Sequence, residues 1–150
     1  MTKPTPFLWF DDNAEAAAKF YCTVFKNSKI LERKRNGRKV VGVTFRLEGQ
    51  TLVALNGGPH YKMTPALSLF VDCASQQEVD ALWRKLLRGG KPLRCGWITD
   101  RFGLTWQIIP SILGKLISDK DPANAERAWE AMIKMGMIDV KALQRAHAGT

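Results

Sequence analysis

Apolar positions along the chain alternate between two periods, and the alternation occurs twice. A short apolar run, Phe7 to Phe10, leads into acidic Asp11 and Asp12, then Ala17, Phe20, Tyr21, Val24 and Phe25. The order returns at Leu67 to Val71, followed by Asp72 and then Val79, Leu82, Trp83, Leu86 and Leu87. The i, i+3, i+4, i+7, i+8 spacing places one apolar helix face on a core, so each passage predicts a strand followed by a helix. Asp12 with Glu15 and Ser75 with Glu78 form candidate capping boxes, an N-cap oxygen and a Glu three residues on satisfying free amides. Each half closes with a turn and a strand, Gly49 to Leu55 in the first and Gly103 to Ile109 in the second. The repeat predicts one pseudo-symmetric α+β domain, with module one over about residues 1–58 and module two over about 64–112.

Asn56-Gly57-Gly58-Pro59-His60-Tyr61-Lys62-Met63-Thr64-Pro65 is rich in Gly and Pro and reads as the linker between the halves. The Gly pair follows a strand without opening a helix, so it lacks the phosphate-loop pattern and reads as a turn. After the second half comes a helical hairpin over about residues 121–147 with no counterpart in the first. Asp121 and Pro122 suit an N-cap and first helical position, Ala125, Ala128, Trp129, Met132 and Ile133 make one stripe, and Gly136 stops the helix. Asp139 then caps a helix carrying Val140, Leu143 and Ala146. Both stripes read as packing surfaces, onto the domain or onto a partner subunit.

Composition agrees with one compact domain. A chain of 150 residues that is 45% hydrophobic can bury roughly 70% of its unfolded surface without a metal or disulfide staple. Cys22, Cys73 and Cys95 are widely spaced and form no Cys-x-x-Cys pair, so they read as reduced thiols. No apolar run reaches the roughly 20 residues of a membrane span, and the polar start Met1-Thr-Lys-Pro-Thr-Pro lacks a signal-peptide pattern. A cytoplasmic protein without membrane association is expected.

A net charge of +9 raises the question of nucleic acid. The densest cluster, Arg33-Lys34-Arg35-Asn36-Gly37-Arg38-Lys39, contains Asn36-Gly37, the favoured dipeptide of a two-residue type I′ turn, and therefore reads as the tip of an exposed β-ribbon. No aromatic residue interleaves with its charges as a stacking platform. Arg84, Lys85, Arg88, Lys91 and Arg94 lie opposite the apolar face of the second helix and its exit and read as solvent-facing. No nucleic-acid partner is expected. Neither His60 nor His147 has a His, Asp or Glu at the ligand spacing of about two to five residues. His60 reads as a rim residue, and His147 lies in a last helical turn, where a cation suits the helix dipole.

Pro6-Phe7-Leu8-Trp9-Phe10 through Glu15, Asn56-Gly57-Gly58-Pro59, Cys95-Gly96-Trp97, Asp100-Arg101-Phe102-Gly103 and Trp106-Gln107-Ile108 resemble the PhnB-like branch of the vicinal oxygen chelate superfamily. The resemblance covers nearly the whole chain. It implies a glyoxalase/bleomycin resistance-like fold, with paired βαβββ modules whose curved mixed sheets enclose a cavity, and commonly a homodimer with shared or exchanged modules. Members of this branch often carry the name 3-demethylubiquinone-9 3-methyltransferase. The chain shows no Gly-rich strand-to-helix turn of the kind nucleotide-like cofactors use, and no cofactor is assigned.

Strand alternation gives the face of each residue. Leu104, Trp106 and Ile108, with Leu67, Leu69 and Val71, suit the helix-facing core, as does Trp83. Thr105, Gln107 and Ile109, with Ala66, Ser68 and Phe70, are left for the concave side, and so are Thr5, Phe7, Trp9, Thr51, Val53 and Leu55. Metal-dependent relatives place His or Glu near the start of each opening strand and on each closing strand. Those places here hold Thr5 or Pro6, Ala66 or Leu67, Val53 or Leu55, and Gln107, none of them an imidazole or carboxylate, so no metal is expected. What is left is the make-up of a small-molecule pocket. Phe7, Trp9 and Phe70 could enclose an apolar ligand of unknown identity, Gln107, Ser68 and Thr105 could orient it, and His60 could sit at its rim; alternatively these side chains fill the sheet interior. Cys95 has no base beside it in sequence and is not assigned as a nucleophile. A non-metal binding protein is the preferred reading, with an enzyme of the superfamily, including the methyltransferase of the family name, as the alternative.

Overall fold

A computed structural model describes residues 2–150. Among these residues the chain forms eight strands and five helices and divides into two compact units, residues 2–63 and 64–150. The first unit contains β1 (Phe7–Phe10), α1 (Ala14–Val24), β2 (Ser28–Asn36), β3 (Lys39–Leu47) and β4 (Gln50–Asn56) in the sheet order β1-β4-β3-β2. The second contains β5 (Ser68–Cys73), α2 (Gln76–Leu86), β6 (Lys91–Pro92), β7 (Trp97–Thr99) and β8 (Thr105–Pro110) in the order β5-β8-β7-β6. In both, the opening strand runs parallel to the closing strand, and the remaining pairs are antiparallel. The expected pair of βαβββ modules is present. Helices α3 (Ile112–Ile117), α4 (Pro122–Met132) and α5 (Val140–Ala148) complete the second unit. The short α3 is an addition to the sequence reading, since six residues carry too little periodicity to stand out.

The first core forms where alternate strand residues meet one stripe of α1. Leu8, Phe10, Val43, Phe45, Leu47, Leu52 and Ala54 are buried together with Ala14, Ala17, Ala18, Tyr21 and Val24. Three alanines on the buried face let the helix axis come close to the strands. In the second unit Val79, Trp83 and Leu86 of α2 are buried, as are Ile98, Leu104, Trp106 and Ile108 on the strands. A separate cluster joins Ile109 and Leu113 to Ala128, Met132, Ile138 and Leu143.

Several local expectations are corrected. Asp12 is not the α1 cap: the N-cap is Asn13, without a side-chain bond. The Ala14 amide instead donates to Asn56 Oδ1 (2.8 Å), while Asn56 Nδ2 donates to Val40 O (3.0 Å) and so aims the oxygen at the helix. Glu15 is drawn away from a capping box by Arg33 (2.9 Å) and Lys19 (3.1 Å). Ser75 does cap α2, accepting from the Glu78 amide (3.3 Å), and Glu78 reaches back to the Ala74 amide (2.8 Å). The ribbon turn is displaced by one residue, because Asn36 pairs with Lys39 and leaves Gly37 and Arg38 as the loop. Gly37 has φ +61° and Arg38 has a negative φ, the sign pattern of a type II′ turn. Register shifts at Ile30/Glu32 and Lys34/Arg35 accompany the displacement. Leu67 lies outside β5 and is 56% exposed, and Trp129 and Ile133 face outward while Ala128 and Met132 carry the helix contact.

The terminal hairpin is closed by polar contacts as well as by its apolar cluster. Arg127 donates to the carbonyls of Ala146 (3.1 Å) and His147 (2.9 Å). His147 Nε2 lies 2.7 Å from Asp119 Oδ2, which adds a partner to the helix-dipole role expected of it. The amide of Asp121 and then His147 hold the Asp119 carboxyl below its ordinary value. A carboxylate with a depressed folded-state pKa contributes stability above its unfolded pKa, and that contribution is lost as pH falls through the folded value. Asp119→Asn should therefore lower the melting temperature near neutrality, and the gap to the parent should close as pH falls to and below the usual carboxylate range. A gap that stays constant from neutral to acid pH in thermal melts would refute the pairing.

Candidate functional site

On each sheet the helix covers one face, and the candidate residues lie on the other. On the first sheet β1 pairs with β4 so that Phe7 lies opposite Val53 and Trp9 opposite Leu55, with Thr44 and Gly42 next across on β3. Phe7 is 61% exposed and Trp9 is half-buried. The indole has a built seat: Trp9 Nε1 donates to Gly58 O (2.9 Å), and the Tyr61 ring meets it edge-on at 4.9 Å. A Cβ on Gly57 would come within 2.4 Å of the indole carbons. The Gly pair is thus a platform for an aromatic ring as well as a turn. Tyr61, which sequence reasoning did not single out, belongs to this group. Its signal was proximity to the Gly pair, but a lone loop aromatic has no periodicity to mark it. His60 is exposed in the adjoining turn.

The second sheet carries a more polar face. Gln107 Nε2 donates to Ser68 Oγ (2.8 Å), and the hydroxyls of Thr99 and Thr105 are 3.2 Å apart. Register places Phe70, Gln107 and Trp97 in one row, with Ser68, Thr105 and Thr99 in the next. Phe70 is 60% exposed and Gln107 is partly so, whereas Thr105 is buried. Phe7 and Trp9 come together on the first sheet, and Ser68, Phe70 and Gln107 on the second. Ile109 is corrected from its expected place on an open face. It packs with Leu113, Met132, Ile138 and Leu143 of the terminal helices, because that end of the sheet is where the extra hairpin lands.

Motifs with a chemical look prove to be structural. Asp100 is buried, and its Oδ1 accepts from the amides of Phe102 (2.8 Å) and Leu104 (3.1 Å), while Oδ2 accepts from Trp106 Nε1 (2.8 Å). Asp100-Arg101-Phe102-Gly103 is therefore a turn tied to the core by its own carboxylate, and Trp106 and Trp83 are core residues as expected. Burial, followed by the charges of Glu78 and Asp72, pushes the Cys73 thiol up to about 11, which suppresses the nucleophilic thiolate. Burial likewise raises Cys22. Cys95 is held by its backbone, its amide donating to Met135 O (2.9 Å).

A divalent ion, the usual companion of this fold in metal-dependent relatives, does not fit the residues present. Among the described residues no three His, Cys, Asp or Glu side chains converge to hold one. No described helix is long and apolar enough to cross a membrane.

Residues 2–109 match the family model described as 3-demethylubiquinone-9 3-methyltransferase. The chain is similar to the PhnB protein from Bacillus cereus, with 31% identity over 71% of this chain and 97% of that one, at a TM-score of 0.66. A Pseudomonas aeruginosa protein shares the fold at 19% identity and a TM-score of 0.58, covering 71% of this chain and 95% of that one. A Bacillus cereus protein described as a possible glyoxalase shares it at 16% identity and 0.52, covering 71% and 96%. No curated protein matches the chain.

The seat of Trp9 yields a test. Gly57→Ala should displace the indole, shift its N–H resonance and destabilise the protein by about 1–3 kcal/mol, the usual cost of overpacking. An unmoved Trp9 resonance with unchanged stability would show that the ring does not rest on Gly57.

Proposed function

Since the chain belongs to the 3-demethylubiquinone-9 3-methyltransferase family, the PhnB-like branch of the vicinal oxygen chelate superfamily, we propose that it binds a small, largely apolar organic molecule without using a divalent ion. The observation that carries this reading is the outward display of Phe7 and Phe70, 61% and 60% exposed, on the sheet faces opposite α1 and α2. Burying one such ring is worth about 1.5–3 kcal/mol. Ser68 and Gln107 form a neutral polar pair beside Phe70 that could accept or donate to a ligand. Trp9, fixed by Gly58, offers a ring whose orientation is paid for before binding.

Methyl transfer is the second reading, and the description of the matching family favours it. Binding is tested with 2-naphthol as a neutral aromatic probe, followed by amide and indole chemical shifts. On the second sheet Phe70→Ala should weaken it more than Gln107→Ala, because truncating an aromatic removes contact area while a neutral hydrogen bond contributes only about 0.5–1.5 kcal/mol. Equal effects in variants that keep the parent's thermal stability would oppose the ring-based site. Stoichiometric zinc or manganese lost in Gln107→Ala would replace this reading with a metal-assisted one. A thermal shift with S-adenosylmethionine would favour methyl transfer.

We also propose a homodimer in the cytoplasm. Exposed Trp129 and Ile133 of the terminal hairpin supply apolar surface for self-association, and three free cysteines suit a reducing compartment. Light scattering at micromolar concentration should give twice the chain mass, and a monomer would refute the dimer.

A further inference from the structure

The second unit has a groove of about 560 Å³ lined by Asp80, Trp83, Arg84, Leu87, Arg88 and Met137, formed by different residues from the open sheet faces. Its residues on α2 and the helix exit follow i, i+3, i+4 spacing, which sets them along one side of the helix. The opposite wall is Met137, from the turn between α4 and α5. That turn is fastened to α2 by Gln76, whose Nε2 donates to Ile138 O (2.9 Å) and whose Oε1 accepts from the Val140 amide (2.8 Å). The groove is therefore built by a defined tertiary contact and does not depend on a loose loop.

Its lining divides into two chemistries. Trp83, Leu87 and Met137 supply the apolar surface of the groove, and Met137 is 37% exposed. Arg84 on α2 and Arg88 in the turn that follows it are four residues apart, and among the described residues neither guanidinium has an ion pair or hydrogen bond. The one acid in the lining, Asp80, is engaged elsewhere, its Oδ1 accepting from Gln76 Nε2 (2.9 Å). Two guanidinium groups without a direct partner, against the single carboxylate of Asp80, leave the lining net positive, and beside the apolar surface they complement a ligand with an apolar body and an anionic head. Guanidinium groups bind carboxylates through paired N–H donors, and the volume falls in the range of small-molecule sites. We propose that this groove binds an amphipathic carboxylate, its chain on Trp83, Leu87 and Met137 and its carboxylate on Arg84 and Arg88.

The test titrates the full chain with octanoate and follows the backbone amides of Leu87 and Met137 and the Trp83 indole N–H by NMR. Saturable shifts are expected at these positions, with octylammonium binding at least about tenfold more weakly and Arg84→Gln/Arg88→Gln weakening octanoate by about tenfold or more, a difference of about 1.4 kcal/mol. Both arginines are exposed, and the double variant serves once its melting temperature matches the parent. The single variants Arg84→Gln and Arg88→Gln provide the readout if it does not, each then weakening octanoate. Absence of saturable shifts, equal affinity for octylammonium or undiminished octanoate affinity in the variants would overturn the proposal. So would shifts of the same signals with protein concentration alone, which would mean that a second copy fills the groove.

Discussion

Parallel pairing of the opening and closing strand in each unit is the constraint on which the rest of the structure depends. Parallel neighbours cannot be joined by a tight hairpin; the chain must cross over, and a helix is the usual way to do so. Here β1 pairs with β4 and β5 with β8, so α1 and α2 each cover one face of their own sheet. The face they leave bare carries Phe7 and Trp9 in one unit and Ser68, Phe70 and Gln107 in the other. The candidate site is thus a direct consequence of where the crossover helices must go.

The two units share topology and differ in how they finish that bare face. In the first, a Gly-rich turn receives the Trp9 indole, and Asn56 at the end of β4 caps α1 from a distance. In the second, the ribbon strands shrink to two and three residues, α2 is capped by its own Ser75, and the terminal helices settle over Ile109. One face is aromatic with a fixed indole, and the other centres on a neutral Ser–Gln hydrogen bond. Neither presents the imidazoles and carboxylates of a metal centre.

Charge follows a similar logic of local satisfaction. Asp100, the buried acid most suggestive of chemistry, spends both oxygens on the turn that contains it and on Trp106. Glu15 is held by Arg33 and Lys19, and Asp119 by the Asp121 amide and His147. Arg84 and Arg88 differ, since neither pairs with Asp80, the one acid in their groove, whose Oδ1 accepts from Gln76.

Much of the architecture was legible in the sequence. The doubled strand and helix periods, the Ser75, Asp121 and Asp139 caps and the inward alternation at Leu104, Trp106 and Ile108 are local signals, set by helical and strand periodicity within a few residues. Alternation also put Phe7, Trp9, Phe70 and Gln107 on the sides of their strands that the structure leaves open. What the sequence could not supply were relations between residues distant along the chain. Asn56 replaces Asp12 at α1 because sheet pairing brings β4 beside the helix start, 42 positions away. Ile109 leaves the open face because the terminal hairpin covers it, and Met137 joins α2 in a groove because Gln76 spans 62 positions to the Ile138 carbonyl. Periodicity determines which side of an element a residue faces; only tertiary packing decides what meets that side, because contacts over such separations depend on the path of the whole chain.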